Sequence, residues 1–118
     1  MRIYIAGPLQ AATPAEQSAN IGRALMAATA MLKLGHTPYV PHLTFYWDSF
    51  LDGHPDRPSY EDWLAYDFQW LAVCDAILYL GSSPGADREL EQARRLGLNI
   101  FFSIDDVPDL TSPLPNVL

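Results

Sequence analysis

The sequence predicts a doubly wound α/β fold: one domain around a four-stranded parallel sheet of strand order 2-1-3-4. Three observations lead there. Short strand-like runs alternate with helical patterns along the whole chain, the arrangement that places helices on both faces of a parallel sheet. The run Asp75–Leu80 is apolar after its first residue, as a central strand covered on both faces requires. Right-handed crossovers then leave 2-1-3-4 as the favoured order, the flavodoxin-like or Rossmann-like arrangement in which the chain reverses direction between the first and third strands.

Each element has a local reason. Arg2–Ala6 alternates, is rich in strand formers and stops at Gly7-Pro8, which predicts the first strand. Thr13-Pro14-Ala15-Glu16 reads as an N-cap, a proline at the first helical position and an acidic first turn. The helix it opens carries Ile21, Leu25, Ala28 and Leu32 at helical spacing and ends at Gly35. Thr37–Val40 is a short second strand closed by Pro41, and residues 41–59 are expected to form a long loop rich in aromatics and proline. Ser59 caps a second helix with Glu61 and Asp62 in its first turn. The turn Gly81–Gly85 feeds a third helix from about Ala86 to Leu96, and Asn99–Ser103 is the last strand. Pro108, Pro113 and Pro115 predict an extended tail.

Size and charge exclude several classes. A chain of 118 residues is one domain (1–118) that buries roughly 65% of its unfolded surface. The single cysteine, Cys74, rules out an internal disulfide framework and fits a reducing compartment. No apolar run reaches the roughly 20 residues that cross a bilayer, and the N-terminus does not read as a signal peptide. A cytoplasmic protein with no membrane partner is the expectation. Seven basic against 14 acidic residues give a net charge of −7; no basic face exists to capture nucleic acid, and a neutral or cation-like reacting species suits such a field.

In a 2-1-3-4 sheet the crevice lies at the C-terminal ends of the first and third strands. Function is expected between the loops Gly7–Ala12 and Gly81–Gly85. The Gly7-Pro8-Leu9-Gln10 loop is neither a dinucleotide fingerprint nor a phosphate-binding loop, so NAD, FAD and ATP are not expected. Asp67 stands in the second helix on the face of Tyr60, Trp63, Leu64 and Leu71. A carboxyl in that stripe is desolvated, which raises its pKa and suits it to general-acid work; an Asp held by a hydroxyl or backbone donor for structure fits the same pattern. Glu89 shares a face of the third helix with Ala86, Leu90, Ala93 and Leu96 and borders the crevice, where the helix N-terminus favours its ionised form. An ionised carboxylate facing a neutral carboxyl is the pair that retaining glycosyl transfer uses; an acidic residue that merely complements the helix dipole is the alternative. Asp87 and Glu91 are placed on the exposed face. Phe45, Tyr46, Trp47 and Phe50 can either sandwich a planar ring or hold the long loop down. His36, His42 and His54 lack metal-ligand spacing, so no metal site is expected, and Cys74 reads as a small buried hydrophobe.

Three segments resemble the nucleoside 2-deoxyribosyltransferase superfamily, which includes deoxynucleoside-monophosphate N-glycosidases. They are Ile3-Tyr4-Ile5-Ala6-Gly7-Pro8, the stretch Asp67-Phe68-Gln69-Trp70-Leu71 with Cys74-Asp75-Ala76, and Ser83-Pro84-Gly85-Ala86-Asp87-Arg88-Glu89-Leu90. Val40-Pro41-His42-Leu43-Thr44 with Trp47 is similar to a small deoxyribosyltransferase-like branch of it. The resemblance implies that Glu89 attacks the anomeric carbon, that Asp67 protonates or hydrogen-bonds the departing base, and that Tyr4 and Gly7 line the sugar pocket. Pro8, Phe45, Trp47, Ser83 and Gly85 complete the expected substrate-binding set. Many transferases of that family carry an Asp where this chain has Ser83, as the monophosphate hydrolases do; those hydrolases hold phosphate with Ser and Arg in the first loop, where this chain has Pro8-Leu9-Gln10. The implied activity is cleavage of the N-glycosidic bond of a 2'-deoxynucleoside with transfer of the sugar to a free nucleobase, a chemistry that needs no cofactor. An N-glycosidase using water and a non-catalytic nucleotide-binding module are the alternatives. The resemblance also implies a homodimer or higher homo-oligomer with a shared site, for which the tail through Asn116 is a candidate contributor.

Overall fold

The computed structural model of the protein describes residues 1–111. It contains β1 (Arg2–Ala6), α1 (Pro14–Lys33), β2 (Thr37–Tyr39), a 3-10 turn (Pro41–Leu43), α2 (Thr44–Phe50), α3 (Tyr60–Leu71), β3 (Ala76–Tyr79), α4 (Pro84–Leu96), β4 (Asn99–Phe101) and a 3-10 turn at Ile104–Asp106. The sheet has four strands, all parallel, in the order β2-β1-β3-β4. The doubly wound fold is therefore as the sequence predicts. Pro113, Pro115 and Asn116, assigned above to an extended tail and a shared site, lie outside the described residues.

Strand alternation divides the core in two. Ile3, Ile5, Ala76 and Leu78 point to one face and pack with Ala24, Ala27, Ala28 and Met31 of α1 and with Val107. Tyr4, Ala6 and Ile77 point to the other face and pack with Leu71, Cys74 and, from α4, Ala86, Leu90 and Ala93. Successive strand residues face opposite ways, so the placement of Ile3 and Ile5 under α1 forces Tyr4 toward α3 and α4. That parity positions the site.

The helix termini follow their caps. Thr13 accepts from the Glu16 N–H, with Pro14 at the first position of α1. Ser59 and Asp62 form a reciprocal capping box on α3. Ser83 Oγ accepts from the Ala86 N–H at 3.1 Å and Pro84 opens α4, so this helix starts two residues before the expected Ala86. Gly35 leaves α1 with φ +89°, a left-handed conformation that favours glycine.

Three expectations are corrected. The buried stripe of α1 is Asn20, Ile21, Ala24, Ala27, Ala28 and Met31, whereas Leu25 and Leu32 are 37% and 61% exposed. Small alanines bring the helix backbone close to the sheet, and the larger leucines are rotated off that contact. The expected loop over 41–59 contains a 3-10 turn and α2, leaving 51–59 as the loop. The last strand ends at Phe101, and the expected continuation through Ser103 turns away from the sheet.

Ile77 is fully buried and pairs in register with both Tyr4 and Ile100. Ile77→Ala should cost about 2–5 kcal/mol through lost burial and a residual cavity, read as a lower urea midpoint at unchanged slope.

Candidate active site

At the C-terminal edge of β1 and β3 a cleft of about 640 Å³ opens between the β1–α1 loop, the 41–48 segment, α3 and the start of α4. Its walls include Leu9, Pro41, Phe45, Trp63 and Leu64, and its polar groups include Asp67 and Glu89. A largely apolar cavity with a few converging polar groups is the usual form of a small-molecule site. It lies at the topological switch point that the strand order defines.

Glu89 is buried, and the Tyr4 hydroxyl donates to its Oε2. Burial pushes the Glu89 carboxyl up to about 8; the Tyr4 hydroxyl, by donating to the ionised form, acts in the opposite sense. The sequence-based expectation that the helix N-terminus holds Glu89 ionised is therefore corrected. Pro84 is the first residue of α4, so Glu89 stands in the second turn, and the dipole's effect fades beyond the first.

Asp67 projects from the middle of α3 and is also buried. Burial pushes it up to about 7, and a hydrogen bond from the Tyr39 hydroxyl to Oδ1, at 3.3 Å, partly offsets that rise. Two carboxyls with raised pKa values thus share one cleft, one from each of the helices packed on the Tyr4 face of the sheet. Asp87 and Glu91 are exposed, as expected. Asp87 accepts from the Tyr79 and Ser82 hydroxyls, each at 2.7 Å, and so fixes the first turn of α4 to the end of β3.

The remaining candidates divide. Gly7, Phe45, Ser83 and Gly85 line the cleft with Glu89 and Asp67. Tyr4 reaches the site through its hydroxyl on Glu89 and otherwise belongs to the core. Pro8 and Trp47 are not among the lining residues. Trp47 instead meets Trp63 edge-on, ring centroids 4.9 Å apart, and also packs against Tyr66. The aromatic loop has therefore split its roles, with Phe45 on the cleft and Trp47 packed behind its wall. A Cβ at Gly7 would lie 3.2 Å from Leu80 Cβ, and one at Gly85 3.3 Å from the Tyr60 hydroxyl. Both glycines let neighbouring segments approach closely around the cleft.

Several lining residues escaped sequence reasoning. His42 is buried, and its Nε2–H donates to the Gly7 carbonyl at 3.1 Å. Burial lowers its pKa, so the ring is neutral and Nδ1 is an acceptor; Nδ1 has no hydrogen-bond partner among the described residues. Arg57 and Arg88 lie on the cleft wall, each already paired. Arg57 bonds both oxygens of Asp48 and one of Asp52, while Arg88 grips Glu61 with two nitrogens. Asp48 also accepts from the Trp63 indole N–H at 2.9 Å. The sequence signal for these pairs was weak because the partners lie 9 and 27 residues apart.

Glu89→Gln should alter stability in a pH-dependent way. Near pH 4 the wild-type carboxyl is largely protonated whether the chain is folded or unfolded. As pH rises toward about 8 the unfolded carboxyl ionises fully while the folded one still holds much of its proton, which destabilises the wild type. The variant has no such loss. Its Tm should exceed the wild-type value by several degrees more at pH 8 than at pH 4, at about 4 °C for each kcal/mol. An offset identical at both pH values would mean that Glu89 titrates normally.

No curated protein matches the chain. A family model described as a domain of unknown function (DUF7768) matches residues 1–103. The matched region takes in all four strands and both carboxyl-bearing helices. The chain belongs to the DUF7768 family.

Proposed function

We propose that the protein cleaves the N-glycosidic bond of 2'-deoxynucleosides and transfers the sugar to a second nucleobase. What carries this reading is one arrangement: two buried carboxyls, Glu89 and Asp67, in a single apolar cleft, each with its own tyrosine hydroxyl. The same two residues hold the expected positions in the resemblance to the deoxyribosyltransferase superfamily.

The chemistry uses each carboxyl in a different state. An oxygen of ionised Glu89 bonds to the anomeric carbon as the bond to the base nitrogen breaks. The electron pair goes to the base, which takes a proton from Asp67. A nitrogen of the second base then attacks the anomeric carbon, Glu89 leaves as carboxylate, and the incoming base returns a proton to Asp67. Positive charge builds on the sugar in both steps, and the carboxylate stabilises it. All atoms balance without a cofactor or metal.

A neutral nucleoside fits better than a phosphorylated one. Arg57 and Arg88 are the cations on the wall, and both are committed to carboxylates. The net charge of −7 works in the same direction.

The test incubates the protein with each common deoxynucleoside, with and without a different free base, and separates the products by chromatography. A new deoxynucleoside that depends on the added base is expected; free base alone would replace transfer by hydrolysis. Glu89→Ala should lower base release on the order of 10³-fold or more, and a wild-type rate in that variant would remove the covalent step. Asp67→Asn should lose roughly 10²–10⁴-fold, most with the poorest leaving bases; equal losses on all bases would end the general-acid role. Base release should be bell-shaped in pH with its maximum between about 7 and about 8. Glu89 keeps its proton to higher pH than Asp67, so the working state, Glu89 ionised with Asp67 protonated, is the minor singly protonated form. The two limbs report the titration steps of the pair, near about 7 and about 8, rather than those of either residue alone.

A further inference from the structure

Tyr39 ends β2, and nothing in its sequence surroundings marks it as more than a strand residue. The structure places its ring between two others. The Tyr4 ring lies 5.5 Å away on one side, and the Trp70 indole stacks at 5.5 Å and 28° on another. Parallel pairing of β1 with β2 sets Tyr4 opposite Tyr39. Neighbouring strands therefore deliver two tyrosines side by side. The Tyr4 hydroxyl donates to Glu89, and the Tyr39 hydroxyl lies 3.3 Å from Asp67 Oδ1.

The direction of the second bond is fixed by which group keeps its proton. Burial and the neighbouring Asp67 charge push the Tyr39 phenol far above its ordinary value. Tyr39 thus remains a donor and Asp67 Oδ1 an acceptor. An oxygen that accepts in this way is not the one that releases a proton. The tyrosine bond engages Oδ1, which leaves Oδ2 as the proton-carrying atom.

We propose that Tyr39 is the positioning residue of Asp67: its hydroxyl holds Oδ1, sets the rotation of the carboxyl on α3, and leaves Oδ2 to deliver the proton. The identity of the proton's acceptor, the departing base, rests on the function proposed above; the coupling of Tyr39 to Asp67 does not. The arrangement makes Tyr4 and Tyr39 a matched pair, each holding one carboxyl. It also explains why an edge strand of three residues carries a large aromatic at its end. Tyr39 reaches α3 only because β2 neighbours β1 on the side away from β3.

The other titratable or charged groups around the cleft are Tyr4 from β1, neutral His42 from the 3-10 turn, Asp48 from α2, Arg57 from the 51–59 loop, Tyr60 from α3, and Arg88 and Glu89 from α4. Tyr66 of α3 hydrogen-bonds the Tyr39 side chain itself. Tyr39→Phe leaves all of them in place and keeps a ring between Tyr4 and Trp70. It removes one donor to the ionised form of Asp67, so that form loses stabilisation and the carboxyl titrates at higher pH.

The experiment follows the Asp67 side-chain carboxyl by carbon NMR through a pH titration of the full-length protein, in wild type and Tyr39→Phe, alongside the pH profile of base release. The variant's Asp67 midpoint should move upward, and the pH optimum of kcat should move with it. At the optimum kcat should fall about 10-fold with KM little changed, as expected when a proton donor is misaligned and substrate binding is intact. An unmoved Asp67 midpoint overturns the proposal. The reciprocal measurement uses the wild type and so guards against a variant that folds poorly: the Tyr39 ring-carbon resonance should shift with pH at the Asp67 midpoint. A Tyr39 resonance that does not sense the ionisation of Asp67 would equally overturn the coupling. If the wild type releases no base from any deoxynucleoside, the reading of the reaction fails, while the two titrations still decide whether Tyr39 holds Asp67.

Discussion

A carboxyl group taken out of water beside a parallel sheet needs a donor, and for Glu89 that donor is the Tyr4 hydroxyl at the heart of the sheet. Much of the architecture follows from meeting that need. Tyr4 faces α4 because Ile3 and Ile5 face α1, a consequence of the two-residue repeat of a strand. Glu89 faces Tyr4 because Ser83 and Pro84 fix where α4 begins, and the spacing from that cap sets which face Glu89 occupies. Slipping β1 by one residue would bury isoleucine where the hydroxyl stands and leave Glu89 without its donor. The register of the central strand and the start of one helix therefore act together on a single hydrogen bond.

The cleft around that bond is assembled from polar ties that contribute little stability one by one. Exposed ion pairs are worth about 0–1 kcal/mol each, and Arg88 with Glu61 is such a pair. Their effect is geometric. Arg88 links α4 to α3 at the cleft wall, while Arg57 draws the 51–59 loop onto Asp48 of α2. Asp48 in turn holds the Trp63 indole of α3. Trp47 and Tyr66 pack edge-on around Trp63, so the wall carrying Asp67 is braced from behind by aromatic rings and at its rim by guanidinium groups.

How far the sequence discloses this depends on whether a signal is local. The sheet order, the crevice and the two carboxyls are readable, because strand parity, caps and helical spacing are properties of short stretches. Asp67 stands out as a charge in an aromatic stripe, and Glu89 as an acid among alanines and leucines. α2 does not stand out: it has seven residues, no side-chain cap bond and no buried residue, so neither periodicity nor capping announces it. The true face of α1 is hidden for a different reason. Alanine packs by allowing close approach, and a reading weighted toward large apolar side chains selects Leu25 and Leu32 instead. Tyr39 and Trp47 depend on partners in other elements, Asp67 and Trp63, that become neighbours only after β2 and α3 are placed. The protonation of Glu89 is likewise non-local, since burial by the assembled cleft outweighs the dipole of its own helix.

That reversal bears on how the proposed reaction would gain its rate. An apolar cleft that holds Glu89 near neutrality when empty provides little stabilisation to a ground-state nucleoside, which is uncharged at the anomeric carbon. As the base departs and cationic character grows on the sugar, the same low-dielectric setting strengthens attraction to an ionised Glu89. The Tyr4 hydroxyl already points at the oxygen that must carry that charge and needs no reorganisation to meet it. Asp67, losing its proton at the same moment, passes to the ionised form that Tyr39 stabilises. Both tyrosine hydrogen bonds favour the charged carboxyl over the neutral one. Only the one from Tyr39 gains strength as the transition state is approached, because Asp67 acquires charge there while Glu89 spends its charge in bonding to the sugar. The Tyr4 bond acts earlier, by favouring ionised Glu89 for the attack. Interactions that strengthen in that direction lower the barrier, whereas those already complete in the bound substrate do not.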